Sequence, residues 1–293
     1  MANNRTQSSQ SGSSSKIRKN DLLTSNPRRV RKWLRSSVVL VAILLLFQLL
    51  LAGSTLNIDE LRDIKGYQNS AKALILTAHP DDEVMFFAPA ILNLVKSSVE
   101  VYALCLSNGN ADGLGRTREE ELLASYAKLG VRADRVRLLD DNRLLDGMQI
   151  KWDPNLISEY VEQFSRNSGP FDLVVTFDKH GISDHANHKA CSYSVSLIYK
   201  SGAMTQNGRI YSLRSHGTTF KYLGLIGALV NHLGARLVFA SQDRIAFMST
   251  PFEYLHSLRA MSLHKSQMVW FRYLYLLFST YMYGCQLDVH INQ

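Results

Sequence analysis

The chain has 293 residues, 46% of them hydrophobic and 20% charged, with three cysteines. This length and composition suit one large or two small globular domains with a full core; they exclude a wholly disordered chain, and so few cysteines exclude a disulfide scaffold. The net charge of +8 resides in the first 35 residues, which hold nine Lys and Arg against one Asp; the other 258 residues carry 24 basic and 24 acidic groups, so the body lacks the basic face that nucleic-acid binding requires.

Residues 1–35 read as a disordered tail rich in Ser, Asn and Gln that closes on a basic cluster, Arg28, Arg29, Arg31, Lys32 and Arg35. From Ser36 to Leu56 there is no charge and only Gln48 is strongly polar, which predicts one transmembrane anchor over 36–56, since such a helix crosses roughly 30 Å of hydrocarbon. A rival reading is a signal peptide with Val38–Ala52 as its apolar core and Ala52-Gly53-Ser54 as its cleavage site, but the leader before it is unusually long. A helix buried in the domain is the third reading. Residues 57–71 read as a linker, and 72–293 as the folded domain.

Within that domain, apolar runs alternate with helical patterns, predicting an α/β fold with a mostly parallel sheet. Strands are expected at Ala73–Thr77, Val99–Ser107, Val136–Leu139 and Asp172–Phe177. After the second, Asn108-Gly109-Asn110 forms a break, Thr117 to Glu120 has capping-box spacing, Leu122, Tyr126 and Leu129 share a helical face, and Gly130 supplies a stop. Leu156–Phe164 reads as a helix. Two later segments are rich in apolar and aromatic residues: Phe220–Val230, expected at a membrane interface, and Met268–Tyr283, expected as a helix packed in the core.

In open parallel sheets, chemistry collects beyond the carboxyl ends of the strands, and two polar clusters fall there. The first is Ala78-His79-Pro80-Asp81-Asp82-Glu83. Such charge is costly unless a cation or substrate offsets it, although a helix N-terminus also favours acidic residues and Pro. The second is Gly181-Ile182-Ser183-Asp184-His185-Ala186-Asn187-His188. With Asp184 as N-cap, His185 and His188 project from one helical face, which is ligand spacing but also occurs on plain surface helices. Two His and one carboxylate make a catalytic zinc set that keeps a position for water. Beside a ligating Asp82, Asp81 is placed to act as base, and His185 to donate to a developing oxyanion.

These motifs, with Thr117-Arg118, Glu121-Leu122, Thr176-Phe177-Asp178, Met261-Ser262-Leu263-His264-Lys265-Ser266-Gln267 and Trp270-Phe271-Arg272, resemble the phosphatidylinositol-glycan class L family over roughly residues 72–285. The family comprises N-acetylglucosaminyl-phosphatidylinositol de-N-acetylases of glycosylphosphatidylinositol anchor synthesis. The resemblance implies a Rossmann-like three-layer fold, Zn2+ or another divalent metal on His79, Asp82 and His188, Asp81 as general base, and His185 as acid or oxyanion partner. It further implies that Arg118 contacts substrate, the alternative being an exposed Arg in a first helical turn, and it matches His264 without assigning it a role.

The implied reaction is hydrolysis of the acetamide of N-acetylglucosaminyl-phosphatidylinositol to the free amine and acetate, with a glycolipid substrate and a membrane as partners and no nucleic acid; no signal for oligomeric state is legible. Rival readings are a zinc deacetylase of another N-acetyl sugar conjugate and a non-catalytic, membrane-tethered glycolipid-binding subunit. The resemblance implies a single-pass protein of the endoplasmic reticulum membrane with a cytosolic catalytic domain. The basic N-terminal flank argues for the opposite orientation by the positive-inside rule. The few cysteines, and the confinement of Asn-x-Ser/Thr to Asn4-Arg5-Thr6, favour the cytosol.

Overall fold

The computed structural model describes residues 27–52, 71–238 and 244–290. Most of the expected tail, residues 53–56 of the expected span and nearly all of the expected linker lie outside the described residues. Helix α1 runs Pro27–Ala52, and its Val30–Leu50 segment is long and apolar enough to cross a membrane. It begins at Pro27 rather than Ser36 because Pro is at home in a first helical turn and Arg, Lys and Leu are good helix formers; charge ends an apolar span without ending a helix.

The domain follows an α/β order: β1 Lys72–Thr77, α2 Asp82–Met85, α3 Ala88–Lys96, β2 Glu100–Cys105, α4 Gly115–Lys128, β3 Val136–Leu138, α5 Pro154–Ser168, β4 Phe171–Phe177, α6 Ala186–Tyr193, α7 Val195–Lys200 and β5 Met204–Leu213. Then come α8 Thr218–Lys221, α9 Gly224–Val238, β6 Arg244–Met248, α10 Pro251–Met261, α11 Trp270–Phe278, α12 Thr280–Tyr283 and β7 Gly284–Val289. Seven described strands form one sheet in the order β3-β2-β1-β4-β5-β7-β6. The first five are parallel, and β7 runs antiparallel to both β5 and β6. The four expected strands are all present, and the mostly parallel sheet is the one expected.

Leu74, Ile75 and Leu76 of β1 and Val174 and Val175 of β4 are fully buried in consecutive positions. Unbroken burial of that kind means that helices cover both faces of the sheet. The strand order reverses between β1 and β4, paired Ala73 to Leu173 and Ile75 to Val175, so the loops leaving their carboxyl ends diverge around a crevice. Both polar clusters lie in those loops. Cys105, Cys191 and Cys285 are buried and free.

Two local expectations are corrected. No capping box forms at Thr117: α4 starts two residues earlier with Leu114 as N-cap, and the Gly115 N–H is satisfied by Asn110 Oδ1 at 2.9 Å. The box chemistry appears instead at Thr250 and Glu253, which cap α10 reciprocally. The Met268–Tyr283 segment is not a core helix throughout: α11 buries only Tyr275 and Leu276, whereas Trp270 is 75% exposed and Phe271, Tyr273, Leu274, Leu277 and Phe278 are also exposed.

Candidate active site

After β1 the chain turns through His79-Pro80, and Asp81 takes a left-handed backbone with φ of 105°. Asp82 opens α2 and folds its carboxylate back, so that Oδ2 accepts from the N–H groups of Ala78 at 3.1 Å and His79 at 2.8 Å. Asp81 points elsewhere, its Oδ2 taking a hydrogen bond from Arg272 Nη2 at 2.5 Å. The adjacent carboxylates are thus separated in direction and in partner, as two different roles require.

After β4, Asp178 Oδ1 accepts from the N–H groups of His180 and Gly181 and starts a tight turn. Ile182, Ser183 and Asp184 all have positive φ, at 41°, 70° and 67°; such conformations cost about 1–3 kcal/mol each and gather at functional sites. Asp184 is therefore not the N-cap. His185 holds that position, its Nδ1 accepting from the Asn187 N–H at 3.3 Å, while Asp184 pairs with Lys189. The His185 and His188 rings stack with centroids 4.5 Å apart, as expected of side chains on one helical face.

His79, His185 and His188 each bring a ligand atom within 4.8 Å of the others. Asp82 joins them, its Oδ1 lying 3.3 Å from His188 Nε2 and its Oδ2 3.8 Å from His79 Nδ1. Hydrogen-bond partners fix where the imidazole protons sit. His188 Nδ1 faces the Gly181 carbonyl at 3.0 Å, an acceptor only, so Nδ1 carries the proton and Nε2 keeps its lone pair. That Nε2 is buried and lacks an aligned hydrogen bond. His79 Nε2 faces Asn187 Oδ1 at 3.0 Å and Asp146 Oδ1 at 3.1 Å, leaving the lone pair on Nδ1. His185 has the tautomer of His79 and the opposite one to His188: its Nδ1 accepts, so Nε2 carries the proton.

Charge states agree with that pattern. Burial lowers the pKa of His79, and burial with the two neighbouring imidazoles brings His185 down to about 4. Burial alone would raise Asp82, but His188 and His79 outweigh it and hold the carboxyl well below the usual range. Two imidazoles whose outer hydrogen bonds leave a lone pair facing inward, with one carboxylate, form a donor set that fits a divalent cation. Asp81 is the opposite case: burial raises its pKa although Arg272 opposes the shift, the condition of a carboxylate poised to take a proton.

Several contributors escaped the reading of the sequence. Asn187 is fully buried and cross-links the site, its Oδ1 also accepting from Gly147 N–H at 3.0 Å and its Nδ2 donating to the Ile150 carbonyl at 2.6 Å. Its place between His185 and His188 was the available signal. Asp146 lies in a segment without periodicity and had none. Arg118 is buried rather than exposed: Nη1 donates to the Gly109 carbonyl at 2.7 Å and Nη2 to the Pro80 carbonyl at 2.9 Å, with Asp146 Oδ2 3.5 Å away. Gly109 has φ of 64°, and a Cβ there would meet the guanidinium at 2.3 Å, so only glycine fits.

Behind Asp81, Glu83 Oε2 accepts from the Asp81 N–H at 3.0 Å, and Oε1 accepts from Ser125 Oγ at 2.6 Å. His264, whose role the sequence left open, meets the same Oε1. These groups back a pocket of about 860 Å3 whose lining includes His79, Asp81, Asp82, Arg118, His185 and His188 together with the aromatic residues Tyr222, Trp270, Phe271 and Phe278. That volume lies in the range of small-molecule sites.

A family profile described as "PIG-L: GlcNAc-PI de-N-acetylase" matches residues 74–199. The N-acetylglucosaminyl-phosphatidylinositol de-N-acetylase of Bos taurus is 38% identical over 212 residues, covering 72% of this chain and 81% of that protein. The chain belongs to the GlcNAc-PI de-N-acetylase family. The Saccharomyces cerevisiae member of the same name is 34% identical over 248 residues, covering 74% of this chain and 80% of its own. Among solved structures, N,N'-diacetylchitobiose deacetylase from Pyrococcus horikoshii shares the fold with a TM-score of 0.54 and 16% identity, over 80% of this chain and 90% of that one. As a GlcNAc-PI de-N-acetylase family member the protein is a deacetylase, and the profile match contains both polar clusters.

Proposed function

We propose that the protein hydrolyses the acetamide of N-acetylglucosaminyl-phosphatidylinositol to glucosaminyl-phosphatidylinositol and acetate, the second step of glycosylphosphatidylinositol anchor synthesis, with Zn2+ as cofactor. The names of the relatives support the substrate. The observation that carries the chemistry is the arrangement of imidazole protons: His79 Nδ1 and His188 Nε2 offer lone pairs beside Asp82, and His185 Nε2 offers a proton.

His79, Asp82 and His188 would hold the cation, which when bound supplies a Lewis acid for the acetamide carbonyl and brings the pKa of a water toward about 7. Asp81 takes the proton of the attacking water and returns it to the departing amine, and Arg272 keeps its carboxylate in place. His185 donates a hydrogen bond from its Nε2–H to the oxyanion of the tetrahedral intermediate and keeps that proton. With its pKa near 4, it acts as a neutral donor rather than as an imidazolium. Arg118 clamps the loops after β1 and β2 and presents its edge to the sugar.

The domain assignment proposed with this function keeps a basic tail over 1–35, a span over 36–56, a linker over 57–71 and the catalytic domain over 72–293. The domain is placed on the cytosolic face of the endoplasmic reticulum membrane. Protease digestion of a C-terminal tag in sealed microsomes tests that orientation; protection of the tag overturns it. Acetate release from the acetylated glycolipid, stopped by a chelator and restored by Zn2+, tests the reaction, and release that a chelator leaves untouched overturns the metal assignment.

A further inference from the structure

Lys221 ends α8 with only 8% of its surface exposed and lines the pocket. Its Nζ donates to Ser183 Oγ and lies 5.3 Å from the centre of the Tyr222 ring, and among the described residues no carboxylate pairs with it. Burial is the cause that lowers its pKa. The other two cations of the pocket wall are committed, Arg272 to Asp81 and Arg118 to Asp146 and two carbonyls. A desolvated ammonium with no counter-charge is costly unless a ligand brings the anion.

The surroundings say which anion. On one side of Lys221 stands Ser183, two residues before His185. On the other, exposed Tyr222 and Leu223 lead into α9, which starts so close to α11 that a Cβ on Gly224 would meet the Leu277 carbonyl at 3.1 Å, and α11 carries an exposed apolar side. The lining of this one pocket combines the imidazole cluster, this cation and an apolar surface. In a glycosylated phospholipid the order is acetamide sugar, phosphodiester, acyl chains.

We propose that Lys221 is the residue that binds the phosphodiester of the glycolipid and selects phosphorylated over phosphate-free headgroups. This rests on the substrate reading above. The ion pair forms only when substrate enters, so the ammonium contributes to affinity and discrimination rather than to the bond-breaking step.

The test uses the full chain in mixed micelles, with Lys221→Met and Lys221→Arg beside the wild type. The substrates are N-acetylglucosaminyl-phosphatidylinositol and its phosphate-free counterpart, N-acetylglucosaminyl-inositol. Lys221→Met is expected to raise KM for the phospholipid at least tenfold more than for the phosphate-free headgroup, and Lys221→Arg to recover most of that difference. Calorimetry on the wild type is expected to detect glycerophosphoinositol, with Kd at least tenfold weaker in Lys221→Met, and inorganic phosphate binding more weakly than the diester. Equal losses on both substrates, an unchanged KM for the phospholipid, or tighter binding of inorganic phosphate overturns the assignment. Glycerophosphoinositol binding that depends on Lys221 in an enzyme that releases no acetate upholds the anion site and overturns the deacetylation of this lipid instead.

Discussion

Glu83 Oε1 lies 2.5 Å from His264 Nε2, and both side chains are sealed from solvent. The pair joins residues 181 positions apart and fixes the carboxylate that holds the Asp81 N–H. Burial alone would lower the pKa of His264, but Glu83, with Asp81 and Glu121, raises it above 6.5. In the proposed mechanism the imidazolium is therefore a positioning group for Asp81.

Removing one partner of a buried pair costs about 3–5 kcal/mol, so His264→Ala is expected to lower the unfolding free energy by that margin and to reduce kcat through a displaced Asp81. Because the folded-state pKa is raised, the stabilisation is complete below about 6.5 and is lost as pH rises through the folded value. The stability gap between wild type and His264→Ala, followed by urea unfolding, should shrink toward alkaline pH; a gap that widens contradicts the charged pair.

Asp81→Asn keeps the size of the side chain and removes its basicity. Turnover is expected to fall by about 10²–10⁴, the usual contribution of a general base, with metal content by elemental analysis equal to wild type. Full activity at normal metal content would assign the base elsewhere.

Asn187 touches His79, the Gly147 N–H and the Ile150 carbonyl at once. Asn187→Leu removes the acceptor that keeps the His79 proton on Nε2, and Zn2+ affinity is expected to fall about 10–100-fold. Competition with a chromogenic chelator measures it, and unaltered affinity would show that Asp146 suffices.

The metal-free enzyme should be acid-sensitive. His185 titrates near 6.5 in the unfolded chain and near 4 in the folded one, so between those values the unfolded state binds the extra proton and stability declines as pH falls. Thermal melts of chelator-treated protein from pH 7 to 4 follow the decline, and saturating Zn2+ should shift its onset to lower pH because metal binds the folded state.

Strand runs such as Leu74-Ile75-Leu76 were legible because a strand buried on both faces is apolar throughout, and the two clusters because His and carboxylates crowd beyond strand ends. Helix starts were less legible. Leu114 displaced Thr117 as N-cap because the preceding loop supplied its own acceptor, Asn110, and His185 displaced Asp184 because the turn before it runs left-handed. The aromatic segment at 268–283 was half misread, since a helix with one buried stripe and one bare face has the same composition as a buried one. Asp146 and Lys221 were beyond reach: their significance comes from what the chain brings against them, which no local spacing encodes.

The topology also sets a timetable. His79 precedes Asn187, which lies between His185 and His188, by 108 residues, so at about 5–20 residues per second a ribosome delivers the first half of the centre several seconds before the second. The nascent chain thus holds His79 and Asp82 without their partners until β4 and α6 have been synthesised and docked beside β1. Under the proposed metal assignment, cation capture is a late event in the birth of this enzyme, and any truncated product ending before His188 emerges without the full donor set.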